Sequence, residues 1–172
     1  MIRKFNFLFI LIIAYLSGII SGFFCGMDNF PDTEKTDSFF DFLSLEPFPR
    51  FVEILANNLI VALKILILGI LSYGIISALL LFYNGLILGL VLNVCAKTLS
   101  LQIILASTLP HVGEVFGLVL SGYVGHIISV SLLSKKRVIC LSSILIWSLI
   151  SLLLIIVSAF SESYISMSLP YV

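Results

Sequence analysis

His111 and Glu114 stand three residues apart in the stretch LPHVGEVFG, which runs from Leu109 to Gly117. His111 is one of two histidines in the chain, and Glu114 is the only acidic residue between Glu53 and Glu162. An imidazole and a carboxylate at i, i+3 share one face of a helix, where they can bond to each other or to a common neighbour. Such a pair is chemically able to do general-base work. The companions that catalysis needs are missing from the sequence around it. There is no G-x-S-x-G elbow, no aspartate near His111 and no nucleotide-binding glycine loop. A zinc centre wants three protein ligands, and no H-E-x-x-H is present. The other histidine, His126, lies fifteen residues on, about 22 Å away along a continuous helix, too far to share an ion with His111. Cys25, Cys95 and Cys140 fall on separate segments without C-x-x-C spacing. From these residues we expect no catalytic set, no metal, no cofactor and no enzymatic activity.

The alternative role for the stretch is structural. Thr108 can cap a helix, Pro110 suits a first turn, and Glu114 near the N-terminus gains from the helix dipole. Lying between these readings is a polar site in a cavity, built on His111 and Glu114.

The elements that would hold such a site are set by composition. The chain has 172 residues, 60% of them hydrophobic and only 10% charged. A soluble domain of this length needs far more polar surface, so its solvent is lipid. The expected fold is all-α, a polytopic bundle of about five transmembrane helices forming a single membrane domain. Basic residues cluster at Arg3-Lys4 and Lys135-Lys136-Arg137 without interleaved aromatics, which excludes nucleic acid as a partner and makes the clusters topology signals.

Phe5 to Phe24 is free of charge and, at about 20 residues, long enough to span. It exceeds a signal-peptide core of about 7–15 residues and lacks an A-x-A-like site, so it is read as a retained anchor over 5–24. Residues 25–58 form an outer acidic and aromatic loop. Phe39, Phe40, Phe42, Leu43 and Leu45 suggest either a short interfacial helix or a loop packed on the bundle, and Pro47 and Pro49 turn the chain back. A second span is expected over 59–83, with Asn57 and Asn58 capping it and Lys64 snorkelling to the outer end. A third follows over 84–98. The 35 residues from Leu99 to Leu133 would make about 52 Å of helix, too long for one span. Pro110 divides them into a re-entrant or connecting arm (99–109) and a fourth span (110–133). A fifth runs over 138–160, and 161–172 is a tail. With the N-terminus inside, both basic clusters face inward and the acidic loop outward, as the positive-inside rule asks.

Small residues recur every fourth position on three spans. Ala14, Gly18, Gly22 and Gly26 do so on the first, Gly85, Gly89, Asn93 and Lys97 on the third, and Gly113, Gly117, Ser121 and Gly125 on the fourth. Such stripes let backbones approach closely where lipid supplies no hydrophobic drive. Helix packing is the first reading; a groove or a homo-oligomer seam is the second. Asn93 and Lys97 extend the third stripe toward the LPHVGE turn.

Asn57-Asn58 before a span, then YNGLILG (Tyr83 to Gly89), then LPHVGEVFGLVLSGYVG (Leu109 to Gly125) resemble the stage II sporulation protein M family of prokaryotic membrane proteins. The likeness covers about Phe51 to Ser134. It places the family's polar signature on Asn57, Asn58, Asn84, Gly85, Pro110, His111 and Glu114, and Val112 stands where a small residue is often found. The resemblance implies a multi-pass protein of the cytoplasmic membrane with other membrane proteins as partners. The family's spore-forming members act with peptidoglycan-remodelling enzymes, and its small stand-alone members serve bacteriocin maturation, export or self-protection. The leading expectation is a non-enzymatic accessory or scaffold component of an envelope-remodelling or export complex, with lipid and an exporter, a cell-wall enzyme or a second copy as partners. A permease-like carrier using Pro110, His111, Glu114, Asn93 and Lys97 is the alternative. An intramembrane hydrolase ranks below both.

Overall fold

Three interruptions divide the apolar chain between residues 47 and 133, one of them the short break between Thr98 and Leu101. The first is Ser72-Tyr73-Gly74, where Tyr73 (φ 58°) and Gly74 (φ 88°) both take left-handed backbone. No helix continues through two such residues. The Gly74 amide reaches back to the Gly69 carbonyl (2.9 Å), a Schellman-type closure. One hydroxyl serves both flanking helices: Ser72 Oγ donates to the Leu68 carbonyl (2.6 Å) and accepts from the Ile76 amide (3.0 Å). The third interruption is at Leu109-Pro110.

The computed structural model describes residues 2–25, 46–98, 100–133 and 141–164. Among them every regular element is a helix: α1 Ile2–Phe24, α2 Pro47–Leu71, α3 Ile75–Thr98, α4 Leu101–Thr108, α5 His111–Leu133 and α6 Leu141–Tyr164. All but α4 are long and apolar enough to cross a membrane. The fold is thus an all-α polytopic membrane bundle with five spans. The expected interfacial helix around 39–45, the basic cluster 135–137 and the tail beyond Tyr164 lie outside the described residues.

The boundaries of the second and third spans are corrected. A span over 59–83 followed by one over 84–98 gives way to α2 and α3, which meet at the Ser72–Gly74 turn. That triplet carries neither charge nor proline, so hydropathy runs straight through it. At the other end, Pro47 does not turn a loop; it occupies the first turn of α2, where proline's missing N–H costs nothing. Asn57 and Asn58 consequently sit in the interior of α2 and cap nothing. Lys64 is exposed and seven residues from Leu71, about 10 Å from the turn end. That puts it nearer the turn end of α2 than the Pro47 end, opposite to the position expected.

Thr108 is a further correction. Its hydroxyl donates to the Ile104 carbonyl within α4 (2.7 Å), so it is not the cap of α5. Ser158 of α6 does that work across the bundle, its Oγ accepting from the Glu114 amide (3.0 Å) and donating to the Pro110 carbonyl. The arm 99–109 contains α4, a helix of eight residues.

Two sets of contacts fix the register. The glycine stripes of α1 and α3 interlock: a Cβ on Gly18 or Gly22 would fall on the backbone of Phe82, Leu86 or Leu90, and one on Gly85 or Gly89 on that of Tyr15, Ile19 or Phe23. Asn93 closes this seam by donating from Nδ2 to the Phe23 carbonyl (2.7 Å). The second set surrounds α5. Gly117 packs on Ser151 and Ile155 of α6, Gly113 on Ser158, and Ser121 Oγ lies 2.9 Å from Ser151 Oγ. Ser151 also donates to the Gly117 carbonyl (2.7 Å). On the other flank a Cβ on Gly125 would stand 3.3 Å from Gly69 Cα of α2. Helix α5 is therefore the axis of the bundle. Of its span 56% is buried, against 22–28% for the other four, and Leu118, Val119, Tyr123 and Ile127 join Leu11, Ile65, Leu81 and Ile155 in the core.

Candidate functional site

The register determines what gathers at the end of the bundle where α5 begins. α2 and α5 run the same way, and Gly69 meets Gly125. Eleven residues back from each come Asn58 and Glu114, which places both at the same height, about 16 Å from that contact. α5 and α6 are antiparallel, so the pairings Ser121–Ser151, Gly117–Ile155 and Glu114–Ser158 carry on to His111 and Glu162. Six polar side chains from three helices converge: Glu53, Asn57, Asn58, His111, Glu114 and Glu162 line, with Ile54, a cavity of about 420 Å³.

His111 is the hub. Its Nδ1 stands 3.3 Å from Glu114 Oε2 and its Nε2 3.6 Å from Glu162 Oε1. All three side chains are partly buried, with 20–34% of their surface exposed. The i, i+3 spacing within the first turn of α5 produces the first contact, and the antiparallel register produces the second. Ser158 fixes the geometry from below, because it holds both the Pro110 carbonyl and the Glu114 amide. Asn58 faces the same cavity. It is only 5% exposed, and its Nδ2 has no hydrogen-bond partner within the protein. Three carboxylates line the space with one imidazole, so acids outnumber cationic groups in the lining whatever the charge on His111.

The seven residues of the expected polar signature separate into two groups. Asn57, Asn58, His111 and Glu114 come together in the cavity, with Pro110 held just behind it. Asn84 and Gly85 do not join them. Asn84 Nδ2 donates to the Leu80 carbonyl one turn back in α3 (2.8 Å), and Gly85 is spent on the seam with α1. Asn93 and Lys97 do not line the cavity either. Gly113, Gly117, Ser121 and Gly125 are committed to α6 and α2, so this stripe is an internal seam rather than an open one. Glu53 and Glu162 were missed by sequence reasoning. A helix starting at the Pro47-Phe48-Pro49 signal would have put Glu53 one turn from Asn57, and one more turn on the last span would have carried Glu162 to the level of His111. The expectation of no metal rested on finding two donors; Glu162 is a third, and His111, Glu114 and Glu162 each offer a donor atom within 4.8 Å of the others.

His126, the second histidine, lies at the opposite end of α5. It donates from Nδ1 to the Tyr73 carbonyl (2.8 Å) and stacks on Phe7 at 3.7 Å. It ties the Ser72–Gly74 turn to α1 and α5.

The fold and the helix-end cavity define a multi-pass α-helical membrane protein whose conspicuous polar chemistry is concentrated at one end. The sequence model of stage II sporulation protein M matches residues 7–167, and the chain belongs to that family. The match extends over α1 and α6, beyond the stretch that carried the resemblance. No curated protein and no solved structure matches the chain.

Proposed function

We propose that this chain is a non-enzymatic accessory component of a cell-envelope remodelling or export complex. It resides in the cytoplasmic membrane of a prokaryote with its N-terminus inside, and it engages a partner membrane protein through the cavity at the outer end of the bundle. The observation that carries this reading is the convergence of Glu53, Asn57, Asn58, His111, Glu114 and Glu162 in one open cavity. Polar side chains at helix ends are presented to the layer where membrane proteins meet extracytoplasmic partners, and Asn57 and Glu53 are exposed at its mouth. Among the described residues lining the cavity there is no serine, threonine or cysteine, so His111 has no side-chain nucleophile to activate there. The glycine stripes support the reading in a second way. They are consumed within the chain, which leaves the polar mouth as the distinctive surface for a partner.

The experiment is recovery of the tagged protein from gently solubilised membranes of its native host, with identification of what accompanies it. The expected companion is an ATP-driven exporter or a cell-wall hydrolase. Glu53→Lys and Asn57→Lys, which reverse or add charge at the mouth, are expected to release it, whereas Leu79→Ala on the lipid face retains it. Recovery of the protein alone, or retention of the companion by both mouth variants, would overturn the proposal.

A further inference from the structure

We infer that His111, Glu114 and Glu162 form a binding site for a divalent first-row transition ion of the Zn²⁺ or Mn²⁺ type, with an open coordination position facing the cavity. The inference rests on the reading that this cavity is the functional site, and it gives the site a ligand. With bonds of about 2.0–2.2 Å, three donors on one ion stand about 3.3–3.7 Å from one another. The three donors lie within 4.8 Å of one another, so side-chain rotations that shift donor atoms by about 1 Å bring them onto one centre. One imidazole with two carboxylates suits borderline ions, whereas Ca²⁺ and Mg²⁺ prefer all-oxygen shells. The ligands are also well placed to stay put. Two come from the first turn of α5 and one from the last turn of α6, and Ser158 locks those turns together. A metal site on helices braced in this way is held more accurately than one on loops.

Asn58 supplies an independent observation. The residue lines the same cavity, and its Nδ2 is buried and lacks an acceptor in the protein. A buried donor of this kind calls for an oxygen in the cavity. Water held on the ion's open position provides one, as does a carboxylate or carbonyl of a partner replacing that water. The surplus of carboxylates in the lining, Glu53 included, favours a cation at this place. A protonated His111 bridging the two glutamates would account for the ion-pair distances alone, but it leaves the Asn58 donor unmet.

The test uses the full chain in detergent, with any affinity tag removed and Cys25, Cys95 and Cys140 replaced by serine so that thiolates hold no ion. After stripping with EDTA, the protein is titrated calorimetrically with Zn²⁺ and, separately, with Mn²⁺; Mg²⁺ serves as comparison. One Zn²⁺ or Mn²⁺ per chain is expected. His111→Gln and Glu162→Gln should each weaken binding by about tenfold or more, with helix content unchanged by circular dichroism. Co²⁺ bound to the otherwise unaltered chain should show ligand-field absorption that EDTA abolishes, a readout that does not depend on how the variants fold. Absence of binding, or affinity unchanged in both variants, would overturn the inference. The two proposals fail separately: a chain that binds the ion yet recovers no companion from membranes keeps the site and loses the partner, and the reverse result does the opposite.

Discussion

Two glycines that look alike in the sequence should respond oppositely to the same substitution. Gly89→Ala places a methyl against the backbone of α1, where its Cβ would stand 2.8 Å from Phe23 N and 2.9 Å from Ile19 C. Ordinary contact begins near 3.4 Å, so α1 and α3 must separate by at least half an ångström, and backbone cannot rotate out of the way as a side chain can. A gap of about 0.5–1 Å forfeits a quarter to a half of the dispersion energy of the contacts it opens, and overpacking of this kind costs about 1–3 kcal/mol. Alanine returns up to about 1 kcal/mol through its better helix propensity. The net expectation is a loss of about 1–2 kcal/mol, roughly a 5- to 30-fold fall in the folded-to-unfolded ratio. Gly113→Ala meets Ser158 Oγ at 3.4 Å, Ser158 Cβ at 3.5 Å and the Leu154 carbonyl oxygen at 3.6 Å. These are ordinary distances, so only the propensity gain remains, and the variant should be neutral or slightly more stable. Both are measured by titrating SDS into dodecylmaltoside micelles, following helix content together with Trp147 fluorescence. Equal destabilisation by the two substitutions would refute the argument from backbone approach.

The turn between α2 and α3 gives a second pair of outcomes. Tyr73→Gly relieves a left-handed non-glycine residue and should stabilise by a few tenths to about 1 kcal/mol in the same assay, whereas Gly74→Val, which adds a side chain to left-handed backbone and drives it into the Phe7 ring, should cost about 2 kcal/mol or more. Ser158→Ala removes the acceptor for the Glu114 amide and the donor to the Pro110 carbonyl; a loss of about 1–3 kcal/mol is expected, and an unchanged unfolding midpoint would show that Ser158 is not the cap of α5. Orientation is checked with the native thiols: an impermeant maleimide should label Cys25 on intact cells and reach Cys140 only after permeabilisation, and the reverse pattern would invert the topology.

Hydropathy was enough to count five spans, because it depends on what faces lipid, and Pro110 marked the break in a segment too long for one span. Hydropathy could not find Ser72–Gly74, since the end of α2 is written in backbone dihedrals rather than polarity. The glycine stripes were legible as stripes, but their partners were not: nothing local says that Gly18 and Gly22 meet Phe82 and Leu86 some 64 positions away. The site shows the same division. His111 and Glu114 stood out as rare polar residues at helical spacing. Glu162 joins them only through the antiparallel register of α5 and α6, which is set several turns away by Gly117, Ser121 and Ser151. Asn58 looked like a cap because the start of α2 was misplaced by twelve residues, from Pro47 to Leu59; with the helix lengthened, its side chain turns inward.

Helix α5 is the most enclosed span and also the one that carries His111, Glu114, four glycines in its first fifteen residues and a serine on its packing face. Lipid is a poor solvent for that combination, since polar and ionisable groups are costly to place in the hydrocarbon. Its partition into the bilayer during synthesis is therefore tied to its neighbours. α2 is already made when α5 emerges, so one flank can be covered at once. The flank bearing Gly113, Gly117 and Ser121 waits for α6, which follows it in the chain. The order of the helices along the chain thus makes completion of α6 the event that commits the bundle, and a nascent chain stalled before Ser151 would hold its central helix half-clad.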